Sequence, residues 1–121
     1  MRFMIVYQPA DVRRAECGEP PSPEEMERMG RFIQQKAGAG VLRAADGLLP
    51  SARGARVRQS GGKTGVTDGP FTEAKELIAG FAIIEAPSKA AAIQEAKDFL
   101  AVAGDGVCEV RQMHDAAAFA S

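Results

Sequence analysis

The 121-residue sequence is poor in cysteine, in histidine and in net charge, and it has no long apolar run; each shortage removes a class of function. Cys17 and Cys108 stand apart without CxxC spacing, which fits reduced thiols rather than a disulfide framework or a zinc site. Fifteen basic residues against sixteen acidic ones leave a formal charge of −1, and the basic residues are dispersed. Nothing in that balance draws the chain to nucleic acid or to an anionic membrane. The opening MRFMIVY reaches Gln8-Pro9 too soon for a signal peptide, and far short of the roughly 20 apolar residues of a membrane span. A cytoplasmic protein is the reading that follows. Low-complexity runs are absent too.

What is present is ordinary globular composition, 45% apolar and 26% charged, enough for one domain over residues 1–121 with its own core. FMIVY, residues 3–7, is a short apolar run closed by Gln8-Pro9, as a buried strand would be. Residues 8–22 are polar, contain three prolines and read as a long irregular connection. Ser22-Pro23-Glu24-Glu25 then combines a capping serine, a proline at the first helical position and a glutamate three residues after the cap, which predicts a helix start. Met26, Met29, Phe32, Ile33 and Ala37 give that helix one apolar face, expected in the core, before Gly38 and Gly40 end it. Residues 41–49 and 54–59 read as extended segments either side of Pro50-Ser51, forming an edge hairpin. AGFAIIEA, residues 79–86, is apolar on both alternating faces, as in a central strand covered twice. Ser88 caps a helix over 89–103 with Ile93, Ala96, Leu100 and Ala103 inward, and VCEVRQM, 107–113, alternates as a last strand.

This order is the split βαβ pattern of a ferredoxin-like α+β sandwich with an extra hairpin. Two helices cover one face of such a sheet, yet strands 3–7 and 79–86 are apolar on both. A second copy packed sheet on sheet would cover the other face and give a two-fold homodimer.

Gly62-Lys63-Thr64 is a near miss to a phosphate loop: the motif needs a glycine where Val57 stands, and Gly65 to Pro70 cannot form the helix that should follow. A tight turn at Gly61-Gly62 joining two extended segments explains it. In Asp68-Gly69-Pro70-Phe71, proline drives Gly69 extended, Asp68 can bond backbone amides downstream, and Phe71 can plug the core. DGPFTEAKE, residues 68–76, followed by LIAGF and joined by ADGLLPS, GARVR and EVRQM, resembles the DGPF (DGPFAETKE) family of YCII-related proteins. The likeness runs from MRFM through SPEEMERMGRF to the last strand in the same order. The resemblance implies a dimeric α+β barrel of ferredoxin-like subunits. It also implies genes placed beside those of extracytoplasmic-function sigma factors, and a histidine and aspartate pair in the wider group. Here the chain departs from that pair, because its one histidine, His114, follows the last strand.

Three carboxylates, Asp68, Glu73 and Glu76, lie in nine residues around Lys75, an arrangement suited to acid and base work, to anion binding, to holding a hard cation or simply to a solvated turn. Glu85, Glu109 and Arg111 interrupt otherwise apolar strands, so they should be paired, either bridging a dimer interface or flooring a polar site if their strands are neighbours. His114 and Asp115 would point to opposite faces of a continuing strand, which makes His114 a surface residue. Tyr7 ends the first strand, where it could line a cavity under the 8–22 connection. The expectation is a homodimer binding a small polar metabolite through Tyr7, Asp68, Phe71, Glu73, Lys75, Glu85 and Arg111. Cofactor-free proton transfer there would fall to Asp68, Glu85 or Arg111, with no cofactor and no metal. The alternative is a non-catalytic sensing or partner-binding module that works with a sigma factor.

Overall fold

The computed structural model describes residues 1–71 and 77–115. Alternation of apolar side chains makes residues Arg2–Pro9 a strand, β1, that lies inside a four-stranded antiparallel sheet. A short helix, α1, covers Val12–Glu16, capped by the Asp11 carboxylate, which accepts from the Arg14 amide. The connection expected to be irregular is therefore partly helical.

Helix α2, Pro23–Gly38, starts where the capping pattern predicts: Ser22 Oγ accepts from the Glu25 amide, and Glu25 returns a bond to the Ser22 amide. Strand β2, Leu42–Gly47, is followed by a single 3₁₀ turn at Ser51–Arg53 and then by β3, Ala55–Ser60, and β4, Lys63–Asp68. Strand β5, Gly80–Glu85, helix α3, Lys89–Ala103, and strand β6, Gly106–Gln112, complete the order. Ser88 caps α3 by accepting from the Ala91 amide.

The sheet runs β2-β5-β1-β6. Opposed residues share a face in antiparallel pairs, so the register places Phe3, Ile5, Tyr7, Ala82, Ile84, Cys108 and Val110 on one side. That side carries the core: Phe3, Ile5 and Ile84 pack with Ala86, and with Ala92 and Ala96 of α3. The two alanines let α3 lie close to the sheet. Burying the Phe3 ring, 2% exposed, contributes roughly 1.5–3 kcal/mol of transfer free energy. Helix α2 lies beside α3, joined by Phe32 against Phe99 at 6.3 Å and by Lys36 to Glu95 at 2.8 Å and Asp98 at 3.1 Å.

Two expectations need correction. Residues 41–49 and 54–59 do not pair with each other: β2 pairs with β5 at the sheet edge, through a bulge around Arg43, while β3 pairs with β4 in a separate two-stranded hairpin. Gly61 and Gly62, both at positive φ (57° and 78°), make the hairpin turn, and local pairing across it wins over the longer connection through Pro50. The apolar stripe of α2 is also less buried than its spacing suggests. Met29 and Phe32 are half-buried, but Met26, Ile33 and Ala37 are exposed, because α2 meets its neighbours along the side carrying Phe32 and Lys36.

The opposite side of the sheet presents Met4, Val6, Phe81 and Ile83, all half-buried, with Val107 60% exposed. Neither long helix reaches it. No described helix is long and apolar enough to cross a membrane.

Candidate functional site

Three segments converge at the foot of the β3–β4 hairpin. Glu16, the last residue of α1, directs its carboxylate at the 3₁₀ turn: one oxygen accepts the Ser51 amide at 2.7 Å and the other accepts the Ser51 hydroxyl in a short hydrogen bond. The first amide of a helical turn has no internal partner, and a carboxylate is a good acceptor for it. The same Ser51 Oγ accepts from the Phe71 amide at 2.9 Å. One serine thus ties α1, the 3₁₀ turn and the Gly69-Pro70-Phe71 turn together. Gly69 is pressed against this knot, since a Cβ there would sit 1.7 Å from the Ser51 carbonyl oxygen.

Around the knot opens a cleft of about 530 Å³, within the roughly 300–1,000 Å³ range of small-molecule sites. Leu48, Leu49, Phe71, Leu77 and Ile78 form its apolar lining, and Glu16, Ser51, Arg53 and Arg56 its polar edge. The Arg56 guanidinium lies 4.0 Å over the Phe71 ring, a cation–π contact that holds both side chains. Phe71 is half-buried in the cleft wall and takes no part in the core it was expected to plug. Asp68 closes β4, paired with Ala55, which lines the cleft. Glu73, Lys75 and Glu76 lie outside the described residues.

The other expected site residues sit elsewhere. Tyr7 points to the helix side, edge-on to Phe99 at 5.2 Å, and its hydroxyl donates to the Asp105 carbonyl at 3.3 Å. Burial, and then the negative charges of Cys108 and Asp105, push its phenol above the ordinary value, while burial raises the Cys108 thiol. Glu85 is on the opposite face, at 3.3 Å from Arg43 and 3.4 Å from the Met1 ammonium. Arg111 shares that face, 76% exposed, and reaches Glu109 at 3.6 Å. Glu85 and Arg111 are not neighbours, because β1 runs between their strands, so the conditional Glu–Arg pair does not form. His114 is exposed beyond β6, and its carbonyl accepts from Arg2 at 3.3 Å. Of the expected residues, Phe71 lines the cleft and Asp68 is paired with the lining residue Ala55; Tyr7, Glu85 and Arg111 lie elsewhere. Among the described residues, no group of three or more histidine, cysteine, aspartate or glutamate side chains is placed to hold a metal ion.

Glu16, Ser51, Arg53 and Arg56 were not singled out by the residue patterns. The available signal was faint: an acidic residue closing a short polar segment, and a serine following proline 35 positions later.

The antiparallel order β2-β5-β1-β6 with two long helices on one side makes this a ferredoxin-like α+β protein. A YCII-related domain matches residues 1–118, and the chain belongs to that family. It is also 41% identical over 81 residues to an uncharacterised protein of Rhizobium meliloti (strain 1021), an alignment covering 64% of this chain and 65% of that protein.

Proposed function

We propose that the protein is a homodimeric binder of a small polar metabolite, which it takes in the cleft at the foot of the hairpin. The observation that carries this reading is the single serine around which three separate segments are fixed. Such a knot does little for the core, but it holds an open, mixed apolar and polar cleft in one shape, and preformed clefts of this kind are where small ligands bind. Asp68, paired with the lining residue Ala55, is the carboxylate to which this reading gives cofactor-free proton transfer to or from that ligand. The dimer reading is supported by Met4, Val6, Phe81 and Ile83, an apolar row on the helix-free side of the sheet that a second copy would shelter. A role alongside a sigma factor draws support only from the family likeness.

Two measurements test the parts separately. Sedimentation at micromolar concentration should give a two-copy particle that Ile83→Asp reduces to single copies; a single-copy wild-type particle would sink the dimer. In a thermal-shift screen of polar metabolites, any hit should weaken in Asp68→Asn and in Phe71→Ala. A hit that both variants retain undiminished counts against this cleft.

A further inference from the structure

The four-stranded sheet ends on two edges that differ. On β2 the pairing with β5 is broken by a bulge around Arg43, which twists the edge out of the shape another strand needs. On β6 the register with β1 runs unbroken from Phe3 opposite Gln112 to Pro9 opposite Gly106, the strand contains no proline, and among the described residues no strand pairs with its outer side. The hydrogen bonds at its two ends show which backbone groups face outward. The Met113 amide donates to the Arg2 carbonyl at 2.8 Å and the Ala10 amide to the Asp105 carbonyl at 3.0 Å, so the odd-numbered residues of β6 bond to β1. The N–H and C=O groups of Gly106, Cys108, Val110 and Gln112 therefore point away from the sheet, a row that can template a further strand.

An antiparallel twin must match outward residue to outward residue, which leaves it few registers. Centred on Glu109 it would set two carboxylates face to face, and centred on Arg111 two guanidinium groups. Centred on Val110 it sets Glu109 against Arg111 of the second copy, Arg111 against Glu109, and Val107, 60% exposed, against Met113. Every pair on the helix-free side is then matched in charge or in apolarity. On the helix side Val110, which packs against the core, meets its own twin. Within one chain Glu109 and Arg111 lie 3.6 Å apart and are 60% and 76% exposed, so the pairing closes a ring of alternating charges. A strand of unrelated sequence has no reason to meet Glu109 with a cation and Arg111 with an anion; this chain's own β6 does both.

From this match we infer that the outer edge of β6 is a docking strand for a second copy of the chain, paired antiparallel about a two-fold axis at Val110. The contact is separate from the face-to-face dimer proposed above and does not depend on it. One strand edge is a small interface, so it acts at high protein concentration.

The test uses the full 15N-labelled chain. Between about 20 µM and about 1 mM the amides of Cys108, Val110 and Gln112 should shift and exchange more slowly, while those of Glu109 and Arg111, bonded to β1, change little. Glu109→Lys and Arg111→Glu each set like charges opposite one another, and each should weaken the association about tenfold. Both side chains are exposed, so both variants are expected to fold. Mixed in equal amounts the two variants complement each other at both positions, and the labelled one should recover the wild-type shifts. If concentration does not move those amides, or if the mixture does no better than either variant alone, the edge inference fails, while the face-to-face dimer is judged separately by sedimentation of Ile83→Asp. Slow exchange at those amides that is the same at both concentrations means an edge covered within one chain, and overturns the inference equally.

Discussion

The sandwich body and the foot of the hairpin are held together by different physics. In the body, Phe3, Ile5 and Ile84 are shut away against alanines, and stability follows from apolar area removed from water. At the foot, twelve strand residues of β3 and β4 are all exposed, and order comes from hydrogen bonds converging on Ser51 together with one arginine stacked on one ring. A two-stranded hairpin is marginal by itself, so such contacts help set its orientation. The core and the shape of the cleft are thus set by separate groups of residues, and a change in one can leave the other intact.

The largest expected effect separates two phenylalanines. Phe3→Ala should lose about 3–5 kcal/mol in urea unfolding, because it opens a cavity in a closed core. Phe71→Ala, in the cleft wall, should lose about 1 kcal/mol. Equal losses would dissolve the distinction between body and foot. A smaller effect sharpens it: Ser51→Ala should reduce global stability by about 1–2 kcal/mol, since it strips the Phe71 amide of its acceptor and one Glu16 oxygen of its donor. Amide exchange at Phe71 should accelerate, while exchange at Ile5 should follow global stability alone.

The smallest effect lies in the body. Tyr7 is the only tyrosine and there is no tryptophan, so absorbance near the phenolate band follows one group. Its midpoint should lie above the ordinary value of about 10. The sign follows: a raised phenol pKa means the folded chain holds its proton longer, so this contribution to stability is complete below the ordinary value and is lost as pH rises through the folded one. Cys108→Ala should bring the midpoint partway down, whereas Arg56→Gln, at the foot, should leave it unchanged.

Local signals were legible in the sequence and long-range ones were not. The capping box at Ser22 and the Gly61-Gly62 turn are decided within four residues, and both were readable. The two-faced pattern of residues 79–86 marked β5 as an inner strand of the sheet for a comparable reason. The edge hairpin was misassigned because β2 finds its partner in β5, beyond the whole hairpin, and sequence proximity favoured β3 instead. Helix α1 is only five residues long, too short to establish a period. The Glu16–Ser51–Phe71 knot joins residues that share no motif, and its partners emerge only once the chain has folded. Phe71, which lines the cleft, was singled out through the DGPF turn; Arg53 and Arg56 of the same lining carry no spacing signal.

Gly69 carries this dependence to the level of variation. With the Ser51 carbonyl 1.7 Å from where a methyl would begin, even alanine must push the turn off its anchor. In a library of every single substitution selected for a folded, protease-resistant chain, position 69 should therefore accept one amino acid, while the exposed strand residues of β3 and β4 should tolerate many.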